Sequence, residues 1–164
     1  MDVNYRYLQK KGDYSIVRYE GMYPLYLYIT NDIDKAKDSF DFYKNISDLG
    51  SGNECKSLKL ELNSILGFTI LVSTKKDNCL GVLIYLKDID KDEVYKTISH
   101  ESVHCADAIF QYIGAYSQDY DNTDEPYAYL VEWCFSCAYD YIQCKRSNNS
   151  DNIKIDATDN REKK

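Results

Sequence analysis

Two histidines stand four residues apart with a glutamate beside the first, His100-Glu101-Ser102-Val103-His104, and they are the only histidines in the chain. A helix stacks residues i and i+4 on one face, so both imidazoles can reach one point. On a helix, the pattern H-E-x-x-H holds a zinc ion through its two imidazoles. The glutamate then stands next to the metal's water and can act as general base. The segment must therefore be a helix with one face turned to a cleft, and the rest of the chain must supply a core behind it.

The surrounding residues fit such a helix. Asp90 with Glu93 three residues later makes a capping-box-like start. Val94, Ile98, Cys105, Ile109 and Ile113 form an apolar stripe, and Gly114 is a C-terminal stop. At ~100° per residue, His100 and His104 lie away from that stripe, where a ligand pair facing a cleft belongs.

Upstream, residues 14–20 and 23–30 are rich in strand formers, with Glu20-Gly21 as a turn and Pro24 near a strand start. Asn31 to Ile46 reads as a helix capped by Asp32 or Asp34, with Ala36, Phe40 and Tyr43 at helical spacing. Asp48 to Asn53 is a loop. Leu58 to Leu62, Gly67 to Ser73 and Leu80 to Leu86 read as strands, and the apolar density of the second suits a central position. Ala115 to Asp124 is a polar loop. A second helix opens at Asp124-Glu125-Pro126 and runs to about Lys145. Residues 146–164 are polar and read as a disordered tail.

The chain has 164 residues, enough for one domain. Its net charge of −7 disfavours nucleic acid and anionic membranes as partners. The longest apolar runs are far short of the ~20 residues of a membrane helix, and Met1 to Gly12 does not read as a signal peptide. The six cysteines are then expected to be reduced thiols. Cys134-Phe135-Ser136-Cys137 is a C-x-x-C that reads as two small core residues rather than a second metal or redox site. Many of the 17 tyrosines are expected to be half-buried, with the ring packed and the hydroxyl in water.

A catalytic zinc site takes three protein ligands. With no further histidine, the third must be a carboxylate or thiolate. Glu125 opens the following helix with Ala128, a small residue, one turn on, which lets that helix come close; Glu132 is the runner-up. Asp107, three residues after His104, is either an acceptor behind a ligand histidine or a solvated carboxylate. Tyr112, Tyr116, Tyr127 and Tyr129 are candidate hydrogen-bond donors to a transition state.

The sequence resembles the gluzincin metallopeptidases, which pair H-E-x-x-H with a glutamate on the next helix, and more narrowly the small gluzincin-like proteins of bacteriophages. The resemblance spans roughly residues 80–145. It rests on Ser99-His100-Glu101-Ser102-Val103-His104, Ile113-Gly114 and Glu125-Pro126-Tyr127-Ala128-Tyr129-Leu130. It implies an α+β, zincin-like domain over residues 1–145: a twisted, mostly antiparallel small sheet packed on the motif helix and a following C-terminal helix. It implies Zn²⁺ on His100, His104 and Glu125, with Glu101 as catalytic base. It also implies that Leu80 to Leu86 is an edge strand along the cleft, with Gly81, Val82, Leu83 and Ile84 holding an extended peptide. The expected activity is hydrolysis of a specific protein substrate in the host cytoplasm or the virion. The alternative is a non-catalytic zinc-binding or peptide-binding phage protein. Neither the substrate nor the oligomeric state can be read from the residues.

Overall fold

The computed structural model describes residues 5–7, 15–54, 65–117 and 124–159, with side chains for 15–54, 65–117 and 124–148. Its strands are β1 (Tyr5–Tyr7), β2 (Ile16–Tyr19), β3 (Tyr26–Thr30), β4 (Phe40–Tyr43), β5 (Gly67–Thr74) and β6 (Leu80–Leu86). Its helices are α1 (Ile33–Ser39), α2 (Val94–Ile113) and α3 (Glu125–Asp159), with a 3₁₀ turn at Ile46–Asp48. The strands form one sheet in the order β1-β2-β3-β6-β5-β4. Every neighbouring pair is antiparallel except β3 and β6. The class is α+β with a mostly antiparallel sheet.

Successive strand residues point to opposite faces, and here both faces are apolar. Leu27, Ile29, Val82, Ile84 and Leu86 join the core that α2 and α3 cover, with Ile98, Cys105, Ile109, Cys134 and Tyr141 opposite them. Tyr28, Leu83 and Val72 point the other way, into a second cluster with Ile16, Phe40, Phe42 and Ala36 of α1. Asp32 caps α1 by accepting from the Lys35 backbone N–H at 3.0 Å.

Tyrosine hydroxyls tie the elements together. Tyr141 of α3 donates to Asn31 Oδ1 at 2.7 Å and accepts from the Asn31 N–H at 3.0 Å, fixing α3 to the end of β3. Arg146 of α3 donates to the Ile89 and Lys91 carbonyls and to the Tyr95 hydroxyl at 2.9–3.1 Å, fixing it to the start of α2. These hydroxyls bond to protein, not only to water.

Several expectations need correction. The helix read over Asn31 to Ile46 stops at Ser39, and Phe40–Tyr43 pairs with Leu71–Thr74 as a strand. Phe40-Asp41-Phe42 alternates with period two, and tertiary pairing selects that period over the helical one. The capping box at Asp90 does not form: α2 begins at Val94, and no side chain caps it. Asp88 instead pairs with Lys91 at 2.9 Å in the preceding turn. Gly114 does end α2, in the left-handed region at φ 70°. Helix α3 continues past Lys145 to Asp159; its polar end carries no apolar stripe to announce a helix. The strand expected at 58–62 lies outside the described residues.

The strand Leu80–Leu86 is not an edge. Its residues pair with β3 on one side and β5 on the other. Val82, Leu83 and Ile84 are fully buried. A continuous apolar run needs cover on both faces, which the middle of a sheet provides. Gly81, Val82, Leu83 and Ile84 therefore do not hold a peptide. Gly81 is a packing residue: a Cβ there would lie 2.5 Å from the Tyr26 carbonyl oxygen and 2.5 Å from the Tyr28 ring. Gly81→Ala is expected to cost about 1–3 kcal/mol of stability through overpacking. It should lower the urea midpoint with an unchanged denaturant slope.

Candidate metal centre and its cleft

Helix α2 lies across the helix-covered face of β5 and β6, and one glycine decides how closely. A Cβ on Gly67 would sit 2.5 Å from Thr97 Cγ2, 2.9 Å from the Tyr85 carbonyl oxygen and 3.6 Å from Glu101 Cγ. Thr97 and Glu101, one helical turn apart, therefore rest directly over the start of β5. Glu101 is 6% exposed. Thr69 Oγ1 is 2.8 Å from Glu101 Oε2 and 3.1 Å from the Glu101 backbone oxygen. Its single proton serves one of the two at a time.

His100 and His104 emerge on the exposed flank of the same helix. Their rings are nearly perpendicular, with centroids 4.7 Å apart, and their Nε2 atoms are 3.1 Å apart. Two zinc–nitrogen bonds of about 2.0–2.1 Å at a tetrahedral angle would separate the nitrogens by about 3.3–3.4 Å. The pair thus presents a spacing within a few tenths of an ångström of a chelating pair. A neutral pair sharing one proton has the same spacing.

The remaining candidates are placed less closely. Among the described residues, no set of three or more His, Cys, Asp or Glu side chains is grouped to hold a metal ion. Glu125 and Glu132 are both exposed on α3 and are not brought to the histidines. Asp107 accepts from the Tyr127 hydroxyl at 2.6 Å, so its bonding partner is a tyrosine of α3 rather than an imidazole. Burial, the bond to Asp107 and the Asp107 charge together push the Tyr127 phenol well above its usual range. The Tyr127 ring meets Phe110 edge-on at 5.2 Å. These contacts set the first turn of α3 against α2, one turn beyond His104. Of the other tyrosines considered, Tyr116 and Tyr129 are largely exposed and Tyr112 packs against the core.

Beside His104 the surface falls into a groove of about 850 Å³. One wall is α2 with His104, Asp107 and Gln111; the other is β5 at Thr69 to Leu71 and the segment from Tyr43 to Ser47. Strand β4 covers the outer edge of β5 only from Leu71 to Thr74. Among the described residues no strand pairs with that edge from Gly67 to Ile70. Neither the groove wall at Tyr43 to Ser47 nor Thr69 was marked by sequence reasoning. Thr69 left one signal, a hydroxyl inside the apolar run Phe68-Thr69-Ile70-Leu71-Val72. The groove wall carries none, because Tyr43 to Ile46 fits the end of the helical spacing that begins at Asn31.

The described cysteines are free thiols. Cys134 and Cys137 are fully buried core residues, as the in-helix C-x-x-C spacing suggests. A hydrogen bond with Cys105, together with burial, pushes the Cys134 thiol up, and burial does the same for Cys137. Among the described residues no helix is long and apolar enough to cross a membrane.

Comparison with protein-family models, with curated proteins and with solved structures finds no match.

The Thr69–Glu101 contact can be weighed directly. Thr69→Val strands a buried carboxylate and should cost about 1–3 kcal/mol. In a Glu101→Leu background the same change should cost clearly less, because the group it served is gone. Urea unfolding of the four proteins in this double-mutant cycle gives the coupling. A coupling of zero would mean that the bond does not hold Glu101.

Proposed function

We propose that this chain is a zinc-dependent peptidase. In this reading His100 and His104 hold the ion, a carboxylate from α3 completes the set (Glu125 in preference to Glu132), and Glu101 is the catalytic base. The observation that carries the proposal is the convergence of the two Nε2 atoms at 3.1 Å on an exposed flank, one residue from a buried glutamate. The imidazole spacing fits a zinc ion, and the third donor would come from the turn of α3 that Tyr127 pins to Asp107. Zinc bound there would polarise a scissile carbonyl and lower the pKa of its water toward ~7.

The protein's own groups supply the rest. Glu101 takes a proton from the attacking water and returns it to the leaving amine. Thr69 keeps the carboxylate from turning away, which matters because a misplaced base loses much of its effect. Glu101 also exchanges water for a fixed hydroxyl partner, so the site needs little rearrangement during turnover. The substrate strand lies along β5 rather than β6. The edge from Gly67 to Ile70, which no strand pairs among the described residues, would offer main-chain N–H and C=O groups to an extended segment. A groove between α2 on one side and β5 with the Tyr43 to Ser47 segment on the other suits one polypeptide strand better than a globular surface. The resemblance to small phage gluzincin-like proteins supports the same chemistry and suggests a specific viral or host protein as target.

Protein purified without added metal should carry close to one equivalent of zinc by elemental analysis. His104→Ala should lose it, and Glu125→Ala should lose most of it; retention by Glu125→Ala with loss by Glu132→Ala would reassign the third ligand. Glu101→Gln is nearly isosteric and should keep the metal while losing hydrolysis by about 10²–10⁴-fold. Mapping of new N-termini in cells expressing wild type or Glu101→Gln measures this. Cleavage that persists in the variant, or none in wild type, would replace the catalytic reading with a structural zinc site.

A further inference from the structure

The groove beside His104 is not electrically neutral along its length. Two of its lining residues other than the histidine carry formal charge, Lys44 on the sheet-side wall and Asp107 on the helix wall. The Asp107 carboxylate is met by the Tyr127 hydroxyl at 2.6 Å. Lys44 is exposed, with no carboxylate partner among the described residues. The nearby Asp48 accepts from Asn45 Nδ2 at 2.8 Å, and no ion pair joins it to Lys44 among the described residues. The other polar residues of the wall, Asn45, Ser47 and Gln111, are uncharged. An ammonium is thus presented to the groove with nothing in the described structure answering it, on a chain whose net charge is −7. A chain this acidic repels acidic ligands over most of its surface, so a cation with no carboxylate partner among the described residues, in the groove beside His104, marks where an acidic group would be favoured.

We propose that Lys44 sets the specificity of the cleft, and that the groove takes an extended polypeptide carrying an Asp or Glu side chain beside the Lys44 ammonium. This rests on the peptidase reading of the same cleft. The peptide main chain would run along the edge of β5 from Gly67 to Ile70, which no strand covers among the described residues. Its side chains would alternate between the sheet side and the groove. One groove-facing position would then meet Lys44, at a fixed distance in sequence from the bond presented to His100 and His104. The size of the preference is bounded by exposure: a solvent-facing ion pair of this kind corresponds to about a two- to five-fold discrimination, weakened by salt.

The test uses the full chain and a library of ten-residue peptides in which each position is varied among Asp, Glu, Asn, Gln, Lys and Arg. Cleavage is measured for wild type, Lys44→Ala and Lys44→Glu. Binding of the same peptides is measured by fluorescence anisotropy on Glu101→Gln, alone and combined with Lys44→Glu. Wild type is expected to favour Asp and Glu at one position by about two- to five-fold. Lys44→Ala should flatten the preference and Lys44→Glu should turn it toward Lys and Arg. The preference should shrink between 50 mM and 500 mM salt. Cleavage without an acidic preference, or with one unchanged in Lys44→Glu, overturns the role of Lys44 and leaves the peptidase reading standing. No cleavage by wild type, with charge-dependent binding that Lys44→Glu reverses, overturns catalysis and keeps the groove as an acidic-peptide site. Neither cleavage nor charge-dependent binding overturns both.

Discussion

The approach of α2 to the first half of β5 sets the geometry of the whole cleft. Gly67 has no side chain, so Thr97 and Glu101 can settle over the strand where a Cβ would collide with Thr97 and the Tyr85 carbonyl. Once α2 is that close, Glu101 is buried and must find a partner, and the Thr69 hydroxyl is within 2.8 Å. An unpartnered buried carboxylate is costly, so this bond fixes the rotation of α2 about its own axis. That rotation turns His100 and His104 outward together and sends Ile98, Cys105 and Ile109 into the core. The position of the histidine pair is thus a consequence of a helix–sheet contact rather than of the motif alone.

A second set of constraints holds α3. Its core side chains Leu130, Cys134, Cys137 and Ala138 supply apolar burial without direction. Direction comes from polar groups: Tyr127 on Asp107, Tyr141 on Asn31, and Arg146 on the turn before α2. A tyrosine can bury its ring and still aim one hydroxyl at a defined partner. This accounts for part of the tyrosine bias of the chain.

The site and the edge strand are coupled through β5. The same strand pairs with β6 along its length, accepts β4 at its far end and leaves the outer edge of Gly67 to Ile70 without a strand partner among the described residues. Thr69 sits in that stretch and bonds Glu101. A peptide added there and the proposed base would therefore share one rigid element. A strand paired with β6 and packed under α2 suits a catalytic geometry, because small displacements of a reacting group are expensive.

The residues alone determined the helix that carries His100, Glu101 and His104, its stop at Gly114, an aspartate cap at Asp32 or Asp34, the strand identity of Leu80 to Leu86 and the burial of Cys134 and Cys137. Each rests on a local rule: helical spacing, a left-handed glycine, a carboxylate at a helix start, an unbroken apolar run, small apolar residues inside a helix. Tertiary structure decided the rest. Leu80 to Leu86 is central rather than at an edge, because pairing depends on residues distant in sequence that local pattern does not contain. Phe40 to Tyr43 is a strand because the outer edge of β5 was there to pair with it, against a helical spacing that fits equally well. Thr69 and Lys44 join the cleft for the same reason: they lie 32 and 60 residues from Glu101 and His104 in the chain, and only the folded sheet brings them to the motif helix. For Glu125, the proposed third ligand, local rule and tertiary placement part: its position at the head of α3 is legible, and α3 as docked does not group it with His100 and His104.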